Sequence, residues 1–314
     1  MDRSPHLALS PEQSAIIDWF ATNARDLPWR AAECTPWGVL VSEIMLQQTP
    51  VVRVLPRWQE WLERWPTPAA LAAEPSGEAV RAWGRLGYPR RALRLHAAAL
   101  RITEEYDGEV PGTVAELKSL PGIGDYTAAA VAAFAFGVRA TVVDTNIRRV
   151  EARLFSGLAL PAPTLNAAEM ALAESLLPLE ATNSVRWNAA SMELGALLCT
   201  ARSPQCALCP VRASCAWIAA GEPEPIYRPK GQPWAGTDRQ LRGAVMAVLR
   251  ATDSPTPWDM FFTEPVLIGD AELSRSLRHL HALESENSRL ERILQDLLQE
   301  GLAQRSAAGL SLPG

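Results

Sequence analysis

Residues 120–149 read LPGIGDYTAAAVAAFAFGVRATVVDTNIRR, and the reading of this stretch decides the fold. Pro121, Gly122 and Gly124 let the backbone turn tightly and approach a ligand closely. The helix opening at 125–127 points free N–H groups and a positive dipole end out of that hairpin, which suits a phosphate. An Ala-rich helix follows, and Asp144 lies beyond it in VVDTN, where the chain can return it towards the same cleft. The expectation is a hairpin that grips a backbone, with a carboxylate beside it for chemistry. Each half is common alone, so the rest of the chain has to supply its meaning.

Outward from this stretch, the chain reads as helix after helix. Ser10-Pro11 with Glu12 and Gln13 is a cap followed by a first-turn proline, opening AIIDWFATNAR. Thr35-Pro36 opens WGVLVSEIMLQQ, and Thr49-Pro50 opens VVRVLPRWQEWLERW. Ala- and Leu-rich periodic segments with short Pro/Gly breaks continue to about Ala220, with no alternating runs, so the body is all-α. Residues 221–237, GEPEPIYRPKGQPWAGT, are rich in Pro and Gly and read as a linker. Residues 238–314 change character, with 8 Arg against 11 Asp and Glu, a balance of −3. They begin with the helix RQLRGAVMAVLRA, continue in a helical pattern from Asp270 to Gly301, and end in GLAQRSAAGLSLP, which fits a short β-hairpin. A coiled coil competes for that pattern, but its Leu and Ile positions are too few for sustained heptads.

The 314 residues suit two domains, and 48% hydrophobic with 21% charged residues suits a buried core. A formal net charge of −5 does not announce a nucleic-acid binder, so such contacts must come from a local basic face or from backbone donors. No apolar run reaches the roughly 18–20 residues of a membrane span, and MDRSPHLALSPEQ lacks a leader pattern. A cytoplasmic protein that meets no membrane is expected.

Cys199, Cys206, Cys209 and Cys215 have six, two and five residues between successive sulfurs. Four thiolates so close suit a tetrahedral zinc or an iron–sulfur cubane. Zinc sites usually pair two short Cys-x-x-Cys hooks, and only one short hook is present, which leans towards a 4Fe–4S cluster. Cys34 is left over and reads as a small semi-buried residue. Glu43 sits among Val39, Leu40, Ile44 and Leu46 on a largely buried helix. It is either ion-paired, with Arg30 or Arg53 as candidates, or a general acid whose pKa burial has raised. Gln47 and Gln48 are planar and polar, able to bond bases, though surface glutamines are commoner. Tyr88, followed by Arg90 and Arg91, suits a wedge with phosphate contacts or an ordinary loop.

Taken together, LPWR at 27–30, SEIMLQQTP at 42–50, LGY at 86–88, LPGIGDYTAAA at 120–130, VDTNIRRV at 143–150 and the cysteine spacing carry a resemblance. The chain resembles the helix-hairpin-helix DNA glycosylases with an iron–sulfur loop, and within them the A/G-specific adenine DNA glycosylases (the MutY family). The resemblance implies a two-lobed helix-hairpin-helix fold over 1–220. One six-helix lobe would span about 35–150, and the other would join 1–34 to 151–220. It implies double-stranded DNA with adenine opposite 8-oxoguanine or guanine as substrate, a 4Fe–4S cofactor, and a monomer working on a bacterial nucleoid. Glu43 would protonate adenine N7, and Asp144, followed by Asn146 of the same motif, would stabilise the sugar cation. Gln48 and Tyr88 match intercalating positions, and Trp29, Arg30 and Leu46 match the adenine pocket. Gly122, Ile123 and Gly124 would hold the DNA backbone, and the cluster loop would present Arg202 and Arg212 to phosphate.

Tyr126 stands where endonuclease III-like relatives carry a Schiff-base Lys, which implies a monofunctional glycosylase. Thr145 replaces the family's flexible residue beside Asp144, and Ala189 replaces a polar adenine contact. Residues 238–314 look winged-helix-like where many relatives carry a Nudix-like domain. A thymine or damaged-pyrimidine glycosylase, or an iron–sulfur DNA-binding regulator without catalysis, are the competing readings.

Overall fold

The structure, a computed structural model, describes residues 8–228, 231, 233–263 and 269–314. Residues 1–7 at the N-terminus, 229, 230 and 232 of the linker, and 264–268 of the tail lie outside the described residues. The protein is helical, as its periodicity requires. In chain order the helices are α1 (Pro11–Asn23), α2 (Pro36–Leu46), α3 (Val51–Arg64), α4 (Pro68–Ala72), α5 (Ser76–Trp83), α6 (Arg90–Glu105), α7 (Val114–Ser119), α8 (Asp125–Phe136), α9 (Thr145–Ser156), α10 (Ala167–Leu176), α11 (Ala181–Leu197), α12 (Ala216–Ala219), α13 (Asp238–Arg250), α14 (Ala271–His281) and α15 (Asn287–Gln299). An antiparallel hairpin of β1 (Gln304–Ser306) and β2 (Gly309–Ser311) closes the chain, with Gln304 opposite Ser311.

Two compact units emerge, residues 1–43 with 111–230, and residues 44–110 with 231–314. In the first unit α9 and α11 pack together, and α1 packs on α11. Ile16 and Ile17 of α1, Val150 and Leu154 of α9, and Trp187, Ala190 and Leu194 of α11 form one core. Spacings of three, four and seven residues put the α9 and α11 sets each on a single helical stripe, and Ile16 and Ile17 are neighbours on α1. Caps set the boundaries. The Ser10 hydroxyl accepts from the Gln13 amide at 3.2 Å while the Gln13 side chain accepts from the Ser10 amide at 2.8 Å, a reciprocal capping box.

The hairpin of the opening stretch joins α7 to α8. Gly122 takes a left-handed φ of 79°, which a side chain would resist. Ala128 through Ala133, including Val131, are all buried, so α8 sits close to its neighbours because its side chains are small. Gly137, left-handed at φ 69°, ends the helix with amides returned to Ala132 and Ala133. The extended chain then runs to Asp144, the N-cap of α9.

In the second unit α4 and α5 pack on α6. Trp61 meets Trp65 and Trp83 edge-on, at centroid distances of 4.7 and 5.7 Å. The tail docks on α5. The Gly77 amide donates to the Pro313 carbonyl at 2.9 Å, and a Cβ at position 77 would lie 2.2 Å from that oxygen. Arg250 Nε donates to the Val80 carbonyl at 2.9 Å, and Arg81 answers with a bond of 2.5 Å to the Arg250 carbonyl. The helical pattern of 270–301 is broken at 282–286, where Glu284 takes a φ of 46°, so it forms two helices instead of one long one. Among the described residues, three α-helices and a two-stranded hairpin make the expected winged-helix-like tail.

Candidate active site

Glu43 is only 6% exposed, and no arginine among the described residues forms an ion pair with it. Arg30 bonds to Glu193 instead, and Arg53 donates to the Arg85 carbonyl. The partner is Tyr126, whose hydroxyl donates to Glu43 Oε2 at 3.0 Å across 83 residues of sequence. Burial pushes the Glu43 carboxyl up to about 7. The Tyr126 hydrogen bond and the Arg30 charge oppose that rise, while the negative charge of Asp144 adds to it. Burial, and then the neighbouring carboxylates, drive the Tyr126 phenol well above its ordinary range, so it remains a donor.

Asp144 caps α9. Its Oδ1 accepts from the Ile147 amide at 2.6 Å and its Oδ2 from Asn146 Nδ2 at 2.7 Å. Burial raises its carboxyl too, but these donors work against the rise. Asn146 is itself oriented by Arg149, which donates to Asn146 Oδ1 at 2.8 Å and to the Gly195 and Cys199 carbonyls at 2.6 Å each. The bonds therefore run in one direction, from the arginine through the amide to the carboxylate. Thr145 is the exposed first residue of α9, where a β-branched side chain meets no crowding.

Gly195 matters because α11 passes very close to this cap. A Cβ at 195 would lie 2.7 Å from both the Asn146 Cβ and the Asn146 carbonyl oxygen. Gly195→Ala is expected to displace Asn146, cost about 1–3 kcal/mol of stability and slow base release. Thermal unfolding alongside single-turnover kinetics measures both. An alanine protein as stable and as fast as the parent would show that the two helices separate freely.

Glu193, fully buried, accepts from the Arg25 amide at 2.9 Å, from Arg25 Nε and Nη2 at 2.8 and 2.7 Å, and from Arg30 Nη2 at 2.9 Å. Burial alone would raise its carboxyl, but the two arginines outweigh it and hold it at about 2. Arg30 Nη1 is buried and makes no hydrogen bond to the described residues, with the guanidinium 5.4 Å from the Phe20 ring centre. Trp29 is buried beside it in a short turn at Pro28–Arg30.

In the hairpin, Gly122 and Gly124 are exposed, but the Ile123 side chain is buried and its amide is already bonded to the Leu120 carbonyl at 3.2 Å. Within the second unit, Leu46 is half-buried at the end of α2, and Gln48 and Tyr88 are exposed with φ of 55° and 48°.

The cysteines follow α11. Cys206 and Cys209 bound one short turn, and Cys215 precedes α12. None of them forms a disulfide. Yet the four sulfurs are electrostatic neighbours. Burial, and then the charges of Cys199, Cys215 and Cys206, push Cys209 up to about 11. Four mutually opposed thiolates are the donor set that a cationic iron–sulfur core relieves. Arg153, buried against Trp217, donates to Cys199 Sγ at 3.3 Å. Arg202 is exposed on the same loop.

Residues 41–178 match the HhH-GPD superfamily of base excision DNA repair proteins, and residues 199–215 match the iron–sulfur binding domain of endonuclease III. An adenine DNA glycosylase of Mycolicibacterium smegmatis is 45% identical over 304 residues, which cover 96% of this chain and 95% of the relative. The chain belongs to the adenine DNA glycosylase family. As a member of it, the protein is a DNA-repair glycosylase, a hydrolase, with the family's 4Fe–4S domain at residues 199–215. The human adenine DNA glycosylase is 38% identical over 212 residues, 65% of this chain and 38% of the human protein. Among solved structures, a thermostable thymine-DNA glycosylase aligns with a TM-score of 0.60 at 30% identity, covering 66% of this chain and 95% of that one. A trapped endonuclease III–DNA covalent intermediate aligns with a TM-score of 0.57 at 25% identity, covering 68% and 96%.

Arg149, Gly195, Arg25 and Glu193 were not legible as site residues. Gly195 alone leaves a trace, since a glycine inside a helix costs about 1 kcal/mol and usually has a packing reason.

Proposed function

We propose that this enzyme removes adenine mispaired with 8-oxoguanine or guanine from double-stranded DNA, without cutting the strand. The observation that carries the reading is the buried Glu43, raised to about 7, bonded by Tyr126 and lying in the field of Asp144. An N-glycosidic bond breaks when the base becomes a better leaving group and the sugar cation is stabilised. Glu43 gives its proton to adenine N7, and the C1′–N9 bond breaks with its electron pair going to the base. Asp144, held by the Ile147 amide and Asn146, meets the oxocarbenium-like sugar until water adds at C1′ and gives its proton to the Glu43 carboxylate. Two carboxyl groups in contrasting environments divide the work in this way.

Extrusion of the base comes first. Gln48 and Tyr88 fill the gap in the stack, and Trp29, Arg30 and Leu46 receive the adenine, with the free Nη1 of Arg30 available to it. Gly122, Ile123 and Gly124 meet one phosphate through backbone atoms, chiefly those of the two exposed glycines, and Arg202 meets another. The 4Fe–4S cluster, held by Cys199, Cys206, Cys209 and Cys215, ties the loop that carries Arg202. Tyr126 offers no amine for a Schiff base, so the product is an intact strand with an abasic site. The protein acts as a monomer on nucleoid DNA in a bacterial cytoplasm.

Pure protein incubated with duplexes bearing A, T or uracil in mispairs tests this directly. Adenine release with strand breakage only after alkali is expected. The similar thymine-DNA glycosylase structure makes thymine release from G·T the informative contrary result. Strand nicking without alkali would overturn the monofunctional assignment.

A further inference from the structure

Five described residues other than glycine have positive φ, and two of them are Gln48 and Tyr88. A left-handed backbone is strained for residues with a side chain, and it persists only where the surroundings dictate it. Both positions share one neighbour. Arg91, in the first turn of α6, is 6% exposed, and its guanidinium spans the two loops. Nη1 donates to the carbonyls of Ile44, Met45 and Gln47 at 2.9, 3.0 and 2.6 Å. Nη2 donates to Thr49 Oγ1 and the Gly87 carbonyl, both at 3.0 Å, and more weakly to the Leu86 carbonyl at 3.4 Å. The guanidinium carbon also lies 5.1 and 5.6 Å from the ring centres of Trp83 and Tyr88.

The chemistry of these acceptors explains the arrangement. The last carbonyls of α2 have no partner within the helix, and a cation at a helix C-terminus is also favoured by its dipole. Arg91 satisfies them and so fixes the point at which the chain leaves α2. The groups it binds lie immediately before and after Gln48, and immediately before Tyr88. No carboxylate among the described residues pairs with Arg91, and the hydrogen bonds it makes go to the end of α2 and to these two loops. A planar fork can serve both loops at once, whereas an ammonium on a flexible stem cannot.

We propose that Arg91 is a positioning residue for base extrusion. It locks the 47–49 and 86–88 loops together so that Gln48 and Tyr88 project as a preformed pair. The inference rests on the reading of Gln48 and Tyr88 as the wedge. With the strain held in the free protein, the pair need not be ordered when it enters the stack.

The test is a mutant cycle read by stopped-flow fluorescence of a purine reporter beside the target adenine, opposite 8-oxoguanine. Arg91→Lys in the parent protein is expected to slow extrusion roughly tenfold, with thermal unfolding retained. In a Gln48→Gly/Tyr88→Ala background, itself slow, Arg91→Lys is expected to add almost nothing, because the groups it positions are gone. An equal further slowing in that background would overturn the positioning role alone. A Gln48→Gly/Tyr88→Ala protein that extrudes at the parent rate would overturn the wedge reading and the role of Arg91 with it. Should Arg91→Lys fail to fold, Thr49→Val removes one acceptor at nearly constant shape. Its smaller slowing must vanish in the wedge-deleted background, and an undiminished one counts against the proposal.

Discussion

Glu43→Gln is expected to lower the single-turnover rate of adenine release by roughly a thousandfold, with the fold intact, because the amide has no proton to give. The same substitution carries a stability signature. The folded Glu43 carboxyl titrates near 7 against an ordinary value of 4.5. Below about pH 4.5 both folded and unfolded chains hold the proton, and the wild-type protein bears no penalty. Between 4.5 and 7 only the unfolded chain has lost it, so stability falls as pH rises, and the loss is complete above the folded value. At 1.36 kcal/mol per unit this amounts to ~3 kcal/mol. Glutamine does not titrate. The variant is therefore expected to match the parent near pH 4.5 and to exceed its stability by up to ~3 kcal/mol at pH 8. Denaturant titrations across that range measure the gap, and a gap that does not change with pH would show that Glu43 titrates normally. The wild-type excision rate should fall as pH rises through 7 for the same reason.

Asp144→Asn separates charge from cap. Asparagine caps a helix about as well as aspartate, so the α9 N-terminus keeps its bond from Ile147. What changes is the far oxygen. Asn146 presents an NH2 to Asp144 Oδ2, and Arg149 fixes that orientation by donating to the Asn146 oxygen. An amide nitrogen at the Oδ2 position would face a donor, and turning Asn146 over would set its NH2 against the guanidinium. The variant should lose about 1 kcal/mol of stability, and roughly a hundredfold or more in rate through the missing negative charge. Rapid-quench kinetics beside thermal unfolding give both figures. A variant that releases adenine at the wild-type rate would exclude Asp144 from stabilising the sugar.

The contrast between Glu43 and Arg149 shows how far a linear reading reaches. A glutamate among Val39, Leu40, Ile44 and Leu46 announces its burial, because helical periodicity leaves it little surface. Its partner was not readable. The arginines close to it in sequence, Arg30 and Arg53, are candidates for an ion pair that competes with a general-acid role, but Tyr126 supplies the hydrogen bond and Arg30 is bound to Glu193. The path from Arg149 to Asp144 was hidden for a related reason. It depends on α11 approaching α9 closely enough for Gly195 to touch Asn146, and that approach is a matter of side-chain volume, not pattern. Likewise the tail declared its helices and hairpin, but its seat on α5 depends on single backbone contacts such as Gly77 with Pro313.

Local chemistry was therefore present in the chain from the start. Proline and glycine set the hairpin of 120–124, apolar periodicity set the helices, cysteine spacing marked the iron–sulfur loop, and the 27–150 motifs marked the family. These follow from short-range sterics and hydrogen bonding, which act within a few residues. The protonation of Glu43, the directional bonds that hold Asp144, and the clamp of Arg91 on two left-handed residues belong to the folded molecule. Each depends on desolvation and on partners at least 40 residues away or on a neighbouring helix. Such energies exist only once packing has removed water from around the groups concerned.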